Sequence, residues 1–196
     1  MSTINIDLAT AKSIASLINI ASKDKSGTPV LEQVHCTLFS DGMLVAVATD
    51  RYAIVSASYE LDYSGRAITF GITHGVANFI SRIKTVKGSN IPGTIELNDD
   101  GYSLQFNGQA IIARHVTGNY PPVAEMVAKW QHGTVATPVE LSLTLLSRLT
   151  KVVDRLGKKL EDWKIELGSS DNPNKPAPIR LTHGTFAAIQ QPRISR

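Results

Sequence analysis

Lysine and arginine recur at helical spacing in three stretches of this chain. Lys12, Lys23 and Lys25 fall in the first, Arg82, Lys84 and Lys87 in the second, and Arg148, Lys151, Arg155, Lys158 and Lys159 in the third. The only acids among them are Asp24 and Asp154, so the three stretches hold a surplus of nine positive charges in a chain whose formal net charge is +3. The rest of the chain is therefore acidic. The chemistry that suits such a distribution is contact with the phosphates of a polyanion. Each contact releases counterions and carries no sequence information. A protein polarised in this way presents one positive face to a nucleic acid backbone.

Other chemistries find little support in the residues. His35, His74, His115, His132 and His183 are scattered over different elements, with no pair at metal-ligand spacing. His35 and Cys36 are neighbours in a β-rich run, where adjacent side chains point to opposite faces, so a Cys–His dyad is disfavoured and Cys36 reads as buried packing. There is no Gly-rich phosphate loop, no Gly-x-Ser-x-Gly and no strand-end cluster of carboxylates, so neither catalysis nor a cofactor is expected. The single cysteine excludes an internal disulfide framework and fits a reducing compartment. No apolar run approaches the roughly 18 residues of a membrane span, and the N-terminus lacks the pattern of a secretory signal, so a cytoplasmic protein is expected.

Three amphipathic helices must carry the cations. The first is predicted over Leu8–Lys25, with Ile14, Leu17, Ile18 and Ala21 as its core face, Asp7 as N-cap, and Lys12, Ser16, Asn19 and Lys23 on another face. The second, His74–Lys87, buries Val76, Phe79, Ile80 and Ile83 and turns Asn78, Arg82 and Thr85 the other way. The third, Leu141–Lys159, has Leu145, Leu149, Val152 and Leu156 opposite Thr144, Arg148, Lys151, Arg155 and Lys158. Burial of each such leucine is worth roughly 1.5–3 kcal/mol.

Strands are predicted around the helices. Val34–Phe39, Met43–Ala48 and Tyr52–Tyr59 follow the first; Ala67–Ile72 precedes the second, and Thr94–Leu97, Tyr102–Phe106 and Ala110–His115 follow it; Trp163–Leu167, Ile179–Thr182 and Thr185–Ile189 follow the third. Ser40-Asp41-Gly42, Asn98-Asp99-Asp100-Gly101 and Asn107-Gly108 supply hairpin turns. The chain thus reads as an α+β protein in which a helix followed by three strands occurs three times. Asn119–Pro138, with three prolines, is a connector between the second and third units. Pro121, Pro122, Met126 and Trp130 in it either offer a landing site for a partner peptide or pack the connector onto its neighbours.

Two segments carry a family resemblance. Thr28-Pro29-Val30-Leu31-Glu32-Gln33-Val34 leads into Leu38-Phe39-Ser40-Asp41-Gly42-Met43-Leu44 and then Ala48-Thr49-Asp50-Arg51-Tyr52-Ala53, and the second unit ends in Ala113-Arg114-His115-Val116-Thr117-Gly118-Asn119-Tyr120-Pro121-Pro122. Together they resemble the first domain of bacterial DNA polymerase III beta-type sliding clamps, in truncated and diverged form. The resemblance implies a DNA-clamp fold, with helices lining the inside of a ring and antiparallel sheets outside. It implies a complete clamp-like domain over 1–122, a connector over 123–137 and a half domain over 138–196. Family members have three complete domains, so a compact version of this kind points to a phage or mobile element. The ending Ile189-Gln190-Gln191-Pro192-Arg193-Ile194 departs from the family's Met-Pro-Met-Arg-Leu type, so pocket residues are not carried over.

The function implied is a non-enzymatic processivity factor: a ring that encircles double-stranded DNA, tethers a replicative polymerase and is placed by a clamp loader. Family rings hold six domains, hence twelve units, and three units per chain give a homotetramer. The alternative is a clamp-fold interaction protein that binds a host clamp or replication partner without encircling DNA.

Overall fold

Alternation at the N-terminus builds the first strand, β1 (Ser2–Asp7): Ile4 and Ile6 are buried while Thr3 and Asn5 face solvent. Asp7 ends the strand and caps α1 (Leu8–Ser16), its carboxylate accepting from the Thr10 amide at 2.8 Å and the Thr10 hydroxyl at 2.9 Å. The computed structural model describes residues 2–23, 26–85, 90–123, 147–148, 151–152, 164–168 and 178–190.

α1 is shorter than its periodicity predicts. After Ser16 the chain tightens into a 3-10 turn, Leu17–Asn19, and does not continue helical to Lys25. The cause is local competition for carbonyls: Ser16 Oγ donates to Ser13 O at 2.7 Å and Asn19 Nδ2 to Ser16 O at 2.6 Å. The predicted core face holds, since Ile14, Leu17, Ile18 and Ala21 are all buried.

β2 (Gln33–Leu38), β3 (Met43–Thr49) and β4 (Ala53–Glu60) complete the first unit. The β2–β3 turn needs its glycine: Gly42 has φ +85°, and a Cβ there would meet Leu61 O at 2.3 Å. Between β3 and β4, Arg51 takes φ +79° because Asp50 ties the corner, accepting from the Tyr52 and Ala53 amides at 3.0 and 2.9 Å.

The second unit runs β5 (Ile68–Thr73), α2 (His74–Arg82), β6 (Pro92–Leu97), β7 (Gly101–Phe106) and β8 (Gln109–Arg114). Thr73 caps α2. The helix stops at Arg82, short of the predicted Lys87, and Ile83 turns extended with ψ 120°. β-branched Ile83 and Thr85 favour that exit, and Ile83 is buried in the extended conformation. Asn107 and Gly108, both at positive φ, make the β7–β8 hairpin turn that their types predict.

Helical residues Ser147, Arg148, Lys151 and Val152 precede β9 (Lys164–Leu167), β10 (Ile179–His183) and β11 (Phe186–Gln190). Val152 is buried, as its place on the apolar stripe requires. The other predicted core positions of the third helix lie outside the described residues.

The strands form two antiparallel sheets, ordered β1–β6–β7–β8 and β5–β2–β3–β4–β11–β10–β9. The leading strands of the first two units are exchanged. β1 pairs with β6 of the second unit, Ser2 opposite Leu97 through Asp7 opposite Pro92, and β5 pairs with β2 of the first, Gln33 opposite Thr73 through Leu38 opposite Ile68. The third unit joins the larger sheet through β11 on β4, Ala188 opposite Val55. The larger buried cluster among the described residues draws on both sheets and on α1 and α2, with Ile4, Leu8, Ile14, Leu17, Ile80 and Phe106 fully buried.

Candidate nucleic-acid interface

α1 and α2 pack side by side, and the polar groups between them are largely satisfied by backbone. Lys12, half-buried, donates from Nζ to Ile83 O at 2.6 Å, just past the end of α2. A cation there meets the negative end of the helix dipole and one of the free terminal carbonyls. Ser16, predicted on the polar face, is buried. A cleft of about 250 Å3 between the helices is lined by Lys12, Ala15, Ser16, Ala77 and Ser81. His74 reaches back from the start of α2 to Ser22 O at 2.9 Å, fixing the segment that follows α1.

The cations that remain outward are Lys23 beyond α1, Arg82 in the last turn of α2, Lys84 just after it, and Lys151 on the third helix; all four are exposed. Lys25, Lys87, Arg155, Lys158 and Lys159 lie outside the described residues.

Arg148 departs from its sequence assignment. Spacing places it in the outward basic stripe, yet its guanidinium is turned onto the first unit. Nε donates to Asn19 O at 2.9 Å, and one terminal nitrogen to Ile20 O at 2.7 Å and Ala21 O at 3.2 Å. The other terminal nitrogen pairs with Asp50 Oδ2. The fork thus fills the carbonyls freed where α1 and its 3-10 turn end, and a carboxylate balances its charge. Asp50 serves two partners, the strand corner through Oδ1 and Arg148 through Oδ2. Along the sequence Asp50 stands out only as part of a corner motif, and no local pattern signals its second role.

The connector begins on the far face of the larger sheet. Tyr120 stacks on His35 with ring centroids 4.4 Å apart and donates to Val47 O at 3.2 Å. Val123 is buried against Val47 and Ile54. Pro121 is half-buried and Pro122 exposed, while Met126 and Trp130 lie outside the described residues. The described part of this segment packs onto the sheet. Burial of the His35 ring there pulls its pKa below the ordinary 6.5. Cys36, on the opposite face, is fully buried, which pushes its thiol pKa far up and leaves it inert.

Among the described residues there is no group of three or more His, Cys, Asp or Glu side chains placed to hold a metal ion. Nor, among them, is any helix long and apolar enough to cross a membrane.

Similarity to known proteins comes through shape. No family model matches the sequence, and no curated protein matches it. Solved structures do. A Eubacterium rectale protein assigned as a DNA polymerase III beta subunit superimposes with a TM-score of 0.75 at 11% identity, over 98% of this chain and 66% of its own. The DNA polymerase sliding clamp of Pseudomonas aeruginosa gives 0.70 at 11% identity, over 97% and 66%. The DNA polymerase III beta subunit of Thermotoga maritima gives 0.70 at 11%, over 99% and 65%. The chain has the sliding-clamp fold, α+β with antiparallel sheets, and spans just under two thirds of the length of these proteins.

Proposed function

We propose that this chain is a clamp-type processivity factor, which closes into a ring around double-stranded DNA and tethers a replicative polymerase without reading sequence. The observation that carries the reading is the paired helices α1 and α2 of a sliding-clamp fold, with exposed cations at their ends and acids concentrated elsewhere. Lys23, Arg82, Lys84 and Lys151 meet phosphates in this reading, joined by Lys25, Lys87, Arg155, Lys158 and Lys159. Lys12 and Arg148 hold the helices in position. Sparse, sequence-blind contacts let the ring slide, and closure keeps it on. The role needs no bond-making chemistry.

Edge strands fit assembly in this reading. β8 closes one end of the smaller sheet and β9 one end of the larger, and exposed strand edges pair readily with another chain. With a complete domain over 1–122, a connector over 123–137 and a half domain over 138–196, four chains supply six domains.

A second reading has one observation in its favour. Lys12 and Arg148 are engaged internally, which thins the phosphate-facing set and suits an interaction protein that binds a host clamp or replication partner without encircling DNA.

Retention on DNA separates the two. A ring, placed by its loader where it does not open unaided, is retained on nicked circles and slides off when they are linearised; the interaction protein shows no such difference. Equal retention on circles and open linear DNA would overturn the ring.

A further inference from the structure

The corner between β3 and β4 holds a cation and a large aromatic where its geometry asks for neither. Arg51 has φ +79°, in the left-handed region that glycine or asparagine occupies with least strain. It is exposed, so no buried contact calls for its long side chain. Tyr52 beside it is 57% exposed. The corner beneath them is firmly tied. Thr49 Oγ1 donates to Ala53 O at 2.8 Å and accepts from the Arg51 amide at 3.2 Å, and Asp50 holds the next two amides.

Hydrogen bonds join this corner to the loop that follows α1 and its 3-10 turn. Arg51 Nη2 donates to Thr28 Oγ1 at 2.7 Å. The Thr28 amide meets Ser26 Oγ at 3.4 Å, the Ser26 amide donates to Lys23 O at 3.1 Å, and the Ser22 amide closes the loop on Leu31 O at 2.8 Å. Exposed Lys23 therefore stands on the same rim as Arg51 and Tyr52. Among the described residues of the loop and the corner the acids are Asp50 and Glu32, and both are engaged. Asp50 pairs with Arg148, and Glu32 accepts from the Ser26 hydroxyl at 2.7 Å. What the rim offers outward is cationic and aromatic.

We propose that this corner binds single-stranded DNA, with the Tyr52 ring stacked on an unpaired base and Arg51 and Lys23 meeting the flanking phosphates. An exposed aromatic ring beside cations suits a strand whose bases have free faces, and such stacking tolerates any sequence. Along a paired duplex the base faces are covered, so there only the cations act, on phosphates. Arginine and tyrosine also recur in protein interfaces, but cations whose neighbouring acids are engaged favour a polyanion. The inference goes beyond the ring reading, because contact with an unpaired strand at the end of α1 needs no closed ring. Within that reading, the strand is the unpaired template beyond a primer end.

The test is fluorescence anisotropy of labelled oligothymidine, with a blunt duplex for comparison, against the full-length chain and its variants over a range of salt. The wild type is expected to bind oligothymidine. Tyr52→Ala is expected to weaken that binding about 5- to 150-fold, the loss of one base–aromatic stack, with a much smaller effect on the duplex. Tyr52→Phe keeps the ring and is expected to keep the affinity. Arg51→Gly removes the cation and suits the positive φ, so it is expected to unfold in urea no more easily than the wild type while flattening the salt dependence for oligothymidine by about 0.7 in log–log slope. Circular dichroism checks each fold, and Tyr52→Leu, apolar but without a π-face, repeats the test if alanine disturbs the corner. A wild type that does not bind oligothymidine overturns the inference. So does unchanged oligothymidine affinity in Tyr52→Ala, which leaves the corner to a protein partner. Equal weakening on oligothymidine and duplex also overturns it, because phosphate contact alone would then account for the binding. Oligothymidine binding by a wild type not retained on nicked circles removes only the ring, and retention without oligothymidine binding removes only this contact.

Discussion

The guanidinium of Arg148 pairs with the carboxylate of Asp50, 98 positions earlier, and its other nitrogens donate to three successive carbonyls, Asn19, Ile20 and Ala21. This clasp fixes the third helix against the end of the first. Arg148→Ala is expected to lower unfolding free energy by about 2–3 kcal/mol, the order of losing a partly buried charge-assisted network. Arg148→Lys is expected to recover little, since one ammonium cannot replace the fork. Urea denaturation measures the change. If Arg148→Ala unfolds like the wild type and binds DNA more weakly, the residue belongs to the phosphate-facing set.

The exposed cations carry a different expectation. Substituting Lys23, Arg82, Lys84 or Lys151 by alanine should leave stability within about 0.5 kcal/mol. Removing one cation from the phosphate backbone should flatten the salt dependence of double-stranded DNA binding by about 0.9 in log–log slope, equally on unrelated sequences. Weakening confined to one sequence would contradict the backbone-contact reading.

Gly71 sits under Gln33. A Cβ at position 71 would meet Gln33 Oε1 at 1.6 Å, and the Gly71 carbonyl also accepts from Tyr102 Oη at 2.7 Å. Gly71→Ala is expected to destabilise by about 1–3 kcal/mol through overpacking. Adding Gln33→Ala should return most of it by opening the space. A double variant no more stable than Gly71→Ala alone would place the cost in the backbone.

His35 gives the fold an acid-sensitive element. Burial lowers its pKa in the folded chain below the ordinary 6.5. Between those two values the unfolded state binds the proton and the folded state does not. Its contribution is therefore intact above 6.5 and is lost as pH falls below it. At the alkaline end the sign reverses for Tyr59, whose pKa burial pushes up to about 12 from 10.0; its contribution is intact below 10 and is lost above it as the unfolded phenol ionises first. His35→Phe keeps the ring on Tyr120 and should flatten the acid limb of a plot of stability against pH. An unchanged slope would assign that limb to other groups.

What could be read ahead of the structure follows from the range of each interaction. The strand turns were legible because their chemistry is local: Gly42, Asn107 and Gly108 supply the positive φ their hairpins need. The apolar faces of α1 and α2 were legible from spacing. Helix ends were not, since Ser16 and Asn19 end α1 by bonding back to carbonyls that periodicity ignores. β1 was missed although Ile4 and Ile6 alternate with Thr3 and Asn5, because its partner is β6, far along the chain. Within the candidate interface the same limit applied: spacing placed Arg148 on the basic side, but the carbonyls and the carboxylate that turn it inward come from another unit.

The exchange of leading strands also sets a schedule for synthesis. Ser2–Asp7 is synthesised well before its sheet neighbour, Pro92–Leu97. At about 5–20 residues per second Ser2–Asp7 waits roughly 5–20 s for that strand. Throughout that interval Ile4 and Ile6 lack their backbone partner strand, and only the apolar residues of the first unit are there to cover them.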